Sequence, residues 1–426
     1  MNIVELYEIF KQYPSVQTDT RKLKKGDLFF ALKGPNFNAN AFAETALTNG
    51  AAYAIIDDPA YNTNTNMILV DDVLTTLQNL ALFHRNQFTI PFIAITGSNG
   101  KTTTKELIHA VLSERYKTYT TYGNLNNHIG VPLTLLNIKN DAEMAVIEMG
   151  ANHRGEIASY CVYARPDHGL ITNVGKAHLE GFGGYEGVKK GKGELFDHLR
   201  SCRGTAFVMW DYDYLRLMSG GIQKKYTYGT GDADVVGRIV ESEPFLKFEV
   251  DGRMVSTQLV GSYNLPNALA AYAVGRFFEV PEDKIRKALE NYAPSNSRSQ
   301  LVEKNGNKII LDAYNANPSS MRAAIENFEK MSGENKVLIL GAMAELGAES
   351  LAEHKGVIDL IKRYNWRNVV LVGGDFLKLD SPFLKFNNSS EAAEWLRNEH
   401  LSDAYILVKG SRSMKMEKVV DTSHEP

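Results

Sequence analysis

Cysteine is scarce in this sequence: Cys161 and Cys202 are the only two among 426 residues. Two thiols cannot build a disulfide framework and form no metal-ligand motif, and such low usage suits a reducing cytosol. The sequence also lacks an apolar run of about 18 residues, the length that a membrane-spanning helix needs. Its first residues, MNIVELYEIFKQYPS, have no basic start followed by a long apolar core. We therefore expect no signal peptide and a cytoplasmic protein.

An excess of positive charge is also missing. Lysine and arginine total 47 against 50 aspartates and glutamates, a formal net charge of −3. This balance indicates no broad basic surface, so we expect no nucleic-acid partner. Hydrophobic residues make up 44% and charged residues 23%, as in an ordinary globular protein. At this length two or three domains are expected.

Strand-like and helix-like segments alternate through most of the chain, which predicts an α/β fold. We divide it into three α/β domains at residues 1–84, 85–297 and 298–426. The middle domain should have a parallel sheet, with a hairpin marked by DG at 251–252. The polar segment YAPSNSRSQ indicates a hinge near Pro294–Arg298. The last part repeats strand and helix in the manner of a small Rossmann-like domain.

The stretch AITGSNGKTT at residues 94–103 resembles a phosphate-binding loop but departs from the usual pattern. G-x-x-x-x-G-K-[ST] requires glycine five positions before Gly100, where Ile95 stands. The stretch nevertheless joins an apolar strand, PFIAIT, to an amphipathic helix, KTTTKELIHAVLSERY. Backbone N–H groups and the helix dipole would face an anion there, with Lys101 near terminal phosphates and the Thr102 hydroxyl near Mg²⁺. An ordinary strand-to-helix turn is the alternative.

Further polar residues follow predicted strands, where open α/β sheets bind ligands. Glu148, after MAVIEM, is suited to Mg²⁺ or is simply a solvated strand end. His178, in NVGKAHLEGFG, is a ligand or a structural histidine. Lys192, in GVKKGKGELF, has the pattern of a surface lysine. The asparagines of GNLNNHIGVPLT suit a polar ligand or a turn, and Asn317 before Pro318 predicts a helix N-cap.

Together and in this order, these segments resemble the Mur ligases, which join amino acids or peptides to UDP-N-acetylmuramoyl precursors of the bacterial cell wall. The shortened loop TGSNGKTT is itself a trait of that family. The resemblance runs along the whole chain through TDTRKLKKGDLFFALKG, NNHIGVPLT, IEMGANHRGEI, TNVGKAHLEGFG, GKGELF, GSYNLPNALAA, LDAYNANPSSM, AMAELGAES and LVKGSRSMKME. The YNANP and MAELG stretches favour the member that adds D-alanyl-D-alanine to UDP-MurNAc-tripeptide.

The resemblance implies a role for each matching residue. It implies ATP and two Mg²⁺ ions as cofactors, a carbamylated Lys192 and an acyl-phosphate intermediate. The sequence does not give the oligomeric state, and we expect a monomer. The implied catalytic residues are Lys101, Glu148, His178 and Lys192, and the implied metal ligands are Thr102, Glu148, His178 and Lys192. Nucleotide contacts fall on Gly97, Ser98, Asn99, Gly100, Lys101, Thr102, Thr103, Asn264, Asn267, Arg298, Asp312 and Asn317. Substrate contacts fall on Thr18, Asp19, Arg21, Asn126, Asn127, Lys409 and Arg412.

The sequence departs from the family at three places. Thr20 replaces a serine, NFNAN at 36–40 replaces a segment like F-D-G-H, and Ala342 replaces an aspartate. The alternatives are another ATP-dependent amide ligase of the Mur or folylpolyglutamate type, a non-catalytic nucleotide switch, or a kinase. A nucleotide switch leaves Glu148 and His178 unexplained, and the sequence shows no lid or acceptor motif that would support a kinase.

Overall fold

The computed structural model describes residues 1–294 and 297–420. Its N-terminal part holds a four-stranded parallel sheet in the order β1-β2-β5-β6, with a small hairpin of β3 and β4 beside it. The strands are β1 Val16–Gln17, β2 Leu28–Phe30, β3 Lys33–Gly34, β4 Phe37–Asn38, β5 Tyr53–Ile56 and β6 Met67–Leu69. The helices are α1 Ile3–Gln12, α2 Ala43–Thr48 and α3 Val73–Arg85.

The central part is built on a nine-stranded sheet in the order β15-β14-β13-β12-β11-β10-β7-β9-β8. Its strands are β7 Phe92–Thr96, β8 Thr118–Thr120, β9 Met144–Glu148, β10 His168–Ile171, β11 Thr205–Met209, β12 Lys224–Gly229, β13 Val235–Glu241, β14 Phe245–Val250 and β15 Arg253–Val260. Its helices are α4 Lys101–Ser113, α5 Gly130–Leu136, α6 Glu156–Ala164, α7 Leu179–Phe182, α8 Tyr185–Cys202, α9 Asp213–Met218, α10 Leu265–Phe277 and α11 Glu282–Asn291.

This central sheet is mixed. In the order of the sheet, the neighbouring strands β8, β9, β7, β10, β11, β12 and β13 pair in parallel. The last three strands, β13, β14 and β15, pair antiparallel. The predicted DG hairpin is confirmed, because Asp251 and Gly252 both have positive φ between β14 and β15. All residues of β7 and β9 are buried, because helices cover both faces of a parallel sheet.

The C-terminal part has a six-stranded sheet in the order β16-β17-β21-β18-β19-β20, antiparallel only at the β16–β17 edge. Its strands are β16 Gln300–Lys304, β17 Asn307–Asp312, β18 Lys336–Gly341, β19 Asn368–Val372, β20 Leu384–Phe386 and β21 Tyr405–Lys409. Its helices are α12 Pro318–Lys330, α13 Ser350–Ile361 and α14 Ser389–Asn398. The three sheets lie within the three predicted domain ranges, whose exact boundaries stay a prediction. Residues 295 and 296 of the predicted hinge lie outside the described residues.

The unusual NFNAN segment folds as an internal turn. Asn38 caps the turn that follows β4, and its side-chain oxygen accepts a hydrogen bond from the Asn40 N–H at 3.0 Å. Asn40 is fully buried, and its amide bonds to the Asp57 carboxylate at 2.8 Å. The hydrogen bonds of this segment therefore fix it against the residue that follows β5. Among the described residues, no helix is both long and apolar enough to cross a membrane.

Candidate active site

A cavity of about 680 Å³ lies at the carboxyl ends of β7, β9 and β10 and is covered by residues of the C-terminal part. β7 lies between β9 and β10, so the chain leaves it at the point where strand order reverses. Open α/β sheets bind ligands at such a point. The predicted site residues that line this cavity are Ser98, Asn99, Gly100, Lys101, Thr102, Thr103, Asn126, Asn127, Glu148, His178, Asn264, Asn267, Arg298, Asp312, Asn317 and Lys409.

The phosphate loop, residues 97–100, connects β7 to α4 and needs glycine at both ends. Gly97 has φ +145°, and a Cβ there would lie 2.0 Å from Thr172 Oγ1; Gly100 has φ +79°. Thr172 Oγ1 donates to the Asn99 carbonyl at 2.6 Å, and the Asn99 N–H donates to Asn173 Oδ1 at 3.0 Å. The residues after β10 therefore hold the loop open against the N-terminus of α4, where unpaired N–H groups favour an anion.

Lys101 and Thr102 begin α4 and face the cavity. Lys101 Nζ donates to the Gly97 carbonyl at 2.7 Å, so its ammonium group lies over the loop. Burial lowers the pKa of Lys101, while the Glu148 carboxylate acts in the opposite direction. A half-buried cation beside a helix N-terminus is suited to a bound polyphosphate, which supplies the missing counter-charge.

Glu148 ends β9 and is only 1% exposed, so the interpretation as a solvated strand end is wrong. Asn126 Nδ2 donates to its Oε1 at 2.7 Å. Its Oε2 is buried and, among the described residues, has no hydrogen-bond partner. An unpartnered buried carboxylate oxygen beside a phosphate loop fits a hard divalent cation such as Mg²⁺.

Lys192 is buried, with 1% of its surface exposed within α8, so the surface position that its sequence pattern indicates is wrong. Its Nζ donates to the Ala151 carbonyl at 3.0 Å and lies 5.1 Å from the centre of the Phe182 ring. Lys192 does not itself line the cavity, but Ala151 does. Burial lowers the pKa of Lys192 well below its usual value, and the charge of Lys101 lowers it further. The environment thus favours the neutral amine.

His178 lines the cavity and precedes α7 with a left-handed backbone, φ +52°. Its Nδ1 contacts the Glu345 carboxylate, which belongs to the C-terminal part. This contact is the main cause that lowers the pKa of Glu345.

Asn264 and Asn267 lie at the start of α10 and pack against the phosphate loop. Asn267 Nδ2 donates to Asn264 Oδ1 at 2.8 Å, and its Oδ1 accepts from Thr104 Oγ1 at 3.1 Å. A Cβ on Gly100 would lie 2.6 Å from that same Oδ1. The two amides therefore close the side of the cavity next to the loop.

The C-terminal part contributes a charged group of residues. The Lys409 ammonium is 2.6 Å from Asp312 Oδ2, and the Asp312 Oδ1 accepts from the Ser299 N–H at 3.1 Å. The Arg298 guanidinium lies 3.5 Å from the centre of the Tyr314 ring. These contacts fix the C-terminal residues on the cavity side of their sheet.

Asn317 forms the predicted helix cap and also joins the C-terminal part to the central part. Its Oδ1 accepts from the Ser320 N–H at 2.9 Å, with Pro318 at the first position of α12. Its Nδ2 donates to Asn99 Oδ1 at 2.7 Å, across the cavity. The C-terminal part is therefore in direct contact with the phosphate loop.

Other predicted site residues lie elsewhere. Thr18, Asp19 and Arg21 are in the N-terminal part, where two hydrogen bonds from the Arg21 side chain help to lower the pKa of Asp19 to about 2. Arg412 is exposed and pairs with Glu417. Ala342 is buried and outside the cavity lining; its carbonyl accepts from Ser411 Oγ at 2.6 Å.

Sequence reasoning overlooked several residues that the fold brings to this site. Thr172 and Asn173 support the loop, and Glu345 contacts His178. For the first two a signal existed, because they directly follow the apolar strand HGLI. Among the described residues there is no cluster of three histidine, cysteine, aspartate or glutamate side chains that could hold a metal ion. A cation here would therefore share its coordination with hydroxyl groups and phosphate oxygens.

Two family models match the chain. The Mur ligase middle domain matches residues 95–275, and the Mur ligase glutamate ligase domain matches residues 297–412. The chain is 35% identical to the UDP-N-acetylmuramoyl-tripeptide--D-alanyl-D-alanine ligase of Bacillus subtilis, covering 95% of this chain and 92% of the relative. It is 37% identical to the ligase of the same name from Escherichia coli, covering 96% and 94%.

Solved structures of Mur ligases also resemble this chain over almost its whole length. The crystal structure of MurF from Acinetobacter baumannii superposes with a TM-score of 0.87 at 33% identity, covering 95% of this chain and 92% of that one. The MurF ligase of Thermotoga maritima in complex with ADP gives 0.85 at 29% identity, covering 95% and 96%. A folylpolyglutamate synthase of Thermotoga maritima gives 0.58 at 16% identity, a likeness of fold alone.

Proposed function

The chain belongs to the Mur ligase family and catalyses the ATP-dependent joining of D-alanyl-D-alanine to UDP-N-acetylmuramoyl-tripeptide in peptidoglycan synthesis, and we propose how its residues perform this reaction. The observation that supports the proposal best is a single cavity at which three features meet. They are the phosphate loop, the unpartnered carboxylate oxygen of Glu148 and the C-terminal residues around Asp312.

ATP binds with its phosphates over the phosphate loop. The N–H groups of Gly100, Lys101 and Thr102 at the start of α4 face its anionic oxygens, and Lys101 moves from the Gly97 carbonyl to the terminal phosphates. Asn264 and Asn267 lie on the adenine side. Arg298, Asp312 and Asn317 add contacts from the C-terminal part, so nucleotide binding and the contact between the two parts favour each other.

We assign two Mg²⁺ sites, the first of which is supported by the unpartnered Glu148 oxygen. Glu148 and the Thr102 hydroxyl would hold one ion, while His178 and a carbamate on Lys192 would hold the other. Bound there, the ions would neutralise the charge that develops between two approaching anions. The carbamate forms when the neutral Lys192 amine attacks CO₂, creating an N–C bond and releasing one proton. Burial supports this step because it lowers the pKa of Lys192 and so favours the neutral amine.

The chemistry proceeds in two steps. The carboxylate of the tripeptide attacks the γ-phosphorus of ATP; an O–P bond forms, the bond to the bridging oxygen breaks and ADP leaves. The free amine of D-alanyl-D-alanine then attacks the acyl carbon, inorganic phosphate leaves and the amine loses its proton. Lys101 stabilises the transferring phosphoryl group, and contact between the two parts keeps water from the acyl phosphate.

The two substrates approach from different parts of the chain. We assign the UDP group to Thr18, Asp19 and Arg21 in the N-terminal part, and the incoming dipeptide to Lys409 and Arg412. Asn126 and Asn127 border the cavity between them. Both cysteines are free thiols, which suits the cytoplasm that we propose as the place of a reaction that uses ATP and a UDP-linked substrate. We also propose that the chain acts as a monomer, which size-exclusion chromatography with light scattering would test.

A turnover assay tests the proposal. ADP release should require both a UDP-MurNAc-tripeptide and D-alanyl-D-alanine, and a panel of tripeptides ending in diaminopimelate or lysine would identify the third residue. Folate with glutamate should be inactive. ATP binding without substrate-dependent ADP release would instead indicate a nucleotide switch and would refute the ligase mechanism.

A further inference from the structure

Glu345 reaches from the C-terminal part to His178, a contact between two residues with unusual backbones. His178 has φ +52° and Glu345 has φ +61°, both in the left-handed region that non-glycine residues seldom occupy. A non-glycine residue keeps such a conformation only where the surrounding structure enforces it, and these conformations concentrate at functional sites. The two side chains meet at His178 Nδ1 and a Glu345 carboxylate oxygen.

The loop that holds Glu345 is firmly fixed to its own part. The Met343 N–H donates to His354 Nε2 at 3.0 Å, and Leu346 is buried. On its other side the loop packs against the central part, because a Cβ added at Gly347 would lie 3.1 Å from the Cβ of Glu180 in α7. Glu345 is thus the residue that this rigid loop directs at His178.

We propose that Glu345 is a positioning residue that orients His178 as a metal ligand when the C-terminal part contacts the central part. The inference rests on the proposed role of His178 as a ligand. A histidine that binds metal through one ring nitrogen commonly donates its other N–H to a carboxylate, which fixes the tautomer and the ring orientation. Here the Glu345 carboxylate contacts Nδ1 in an orientation that does not yet form a hydrogen bond, and Nε2 is left for the cation. Because Glu345 belongs to the other part, the second metal site is complete only when the two parts are in contact.

The same interface supplies a matched control. Lys176, two residues before His178, pairs with Glu353 of α13 at 2.5 Å. Glu353→Gln removes an ion pair between the same two parts without touching His178. If the substitutions act only by weakening the contact between the central and C-terminal parts, both variants should bind Mn²⁺ more weakly. If Glu345 acts through His178, only Glu345→Gln should do so.

The test is a Mn²⁺ titration followed by electron paramagnetic resonance on the full chain with a non-hydrolysable ATP analogue and UDP-MurNAc-tripeptide. Glu345→Gln should weaken one of two Mn²⁺ sites by about 10–100-fold, the usual effect of losing such a partner, while Glu353→Gln should leave both sites unchanged. In a His178→Ala background, Glu345→Gln should have no further effect. Glu345→Asp, which keeps the charge but shortens the reach, should behave like Glu345→Gln.

Three results would overturn the inference: wild-type Mn²⁺ binding in Glu345→Gln, equal losses in Glu345→Gln and Glu353→Gln, or additive losses with His178→Ala. If His178→Ala itself binds two Mn²⁺ ions like the wild type, the proposed ligand role of His178 fails as well. If His178→Ala is weakened and Glu345→Gln is not, only the positioning role fails.

Discussion

Replacing Lys192 by methionine and by alanine separates its packing from its chemistry. The side chain is 1% exposed, with one hydrogen bond to the Ala151 carbonyl. Lys192→Ala removes three buried methylenes at about 0.8 kcal/mol each. With the cavity left behind, the loss of stability should fall within about 2–5 kcal/mol. Lys192→Met keeps the length and loses one hydrogen bond, so above pH 10.5, where the wild-type amine is neutral whether folded or unfolded, its stability should stay within about 1 kcal/mol of the wild type.

Both variants remove the proposed carbamate and should lower turnover by about 10²–10³, the effect of losing one group that stabilises the transition-state charge. Millimolar acetate should partly restore Lys192→Ala, because the vacated space admits a small carboxylate. It should not restore Lys192→Met, where the side chain fills that space. Lys192→Arg should also fail, since it restores only positive charge. The assay is ADP release at saturating Mg²⁺. Lys192→Met turnover within tenfold of the wild type would refute the carbamate.

The lowered pKa of Lys192 also predicts a pH dependence in bicarbonate-free buffer. Unfolding returns the amine to its usual pKa of 10.5, so the unfolded chain binds an extra proton between the folded pKa and that value. Wild-type stability should therefore fall as pH decreases below 10.5, by at most about 1.4 kcal/mol per pH unit from this group. Lys192→Met lacks this dependence. Its stability relative to the wild type, measured by urea unfolding, should be greater at pH 7 than at pH 9; an equal difference at both would contradict the burial argument.

Three further changes test the cavity. Glu148→Gln should lower turnover by about 10²–10³ at saturating Mg²⁺ while ATP binding persists; near-normal turnover would argue against its metal role. Gly97→Ala places a Cβ 2.0 Å from Thr172 Oγ1 and should abolish ATP binding measured by calorimetry; wild-type affinity would show that the loop can move aside. Asn317→Ala should cost about 1 kcal/mol as a lost helix cap and reduce the compaction that an ATP analogue with both substrates produces in small-angle scattering. Asn388→Ala, which removes a cap from α14 alone, should leave that compaction intact; equal scattering changes in both would exclude a closing role for Asn317.

Local backbone features were predictable from the sequence. The strand, glycine loop and helix around residues 92–113 follow from apolar patterning and from glycine at turns, as does the Asn317 cap. The burial of Lys192 was harder to predict, because its neighbours in GVKKGKGE are polar. This lysine nevertheless shares a helical face with Val188, Leu195 and Leu199, a spacing that indicates burial.

The sequence by itself determined the α/β class, the phosphate loop and the order of the motifs, because each depends on residues close together in the chain. The tertiary structure decided which distant groups meet. Glu148 reaches the loop because β9 pairs beside β7, and Asn317 meets Asn99 because the C-terminal part folds over that sheet. Glu345 likewise meets His178 only across that boundary. Sheet order and contacts between separate parts arise from packing between segments far apart in sequence, and local spacing does not encode them.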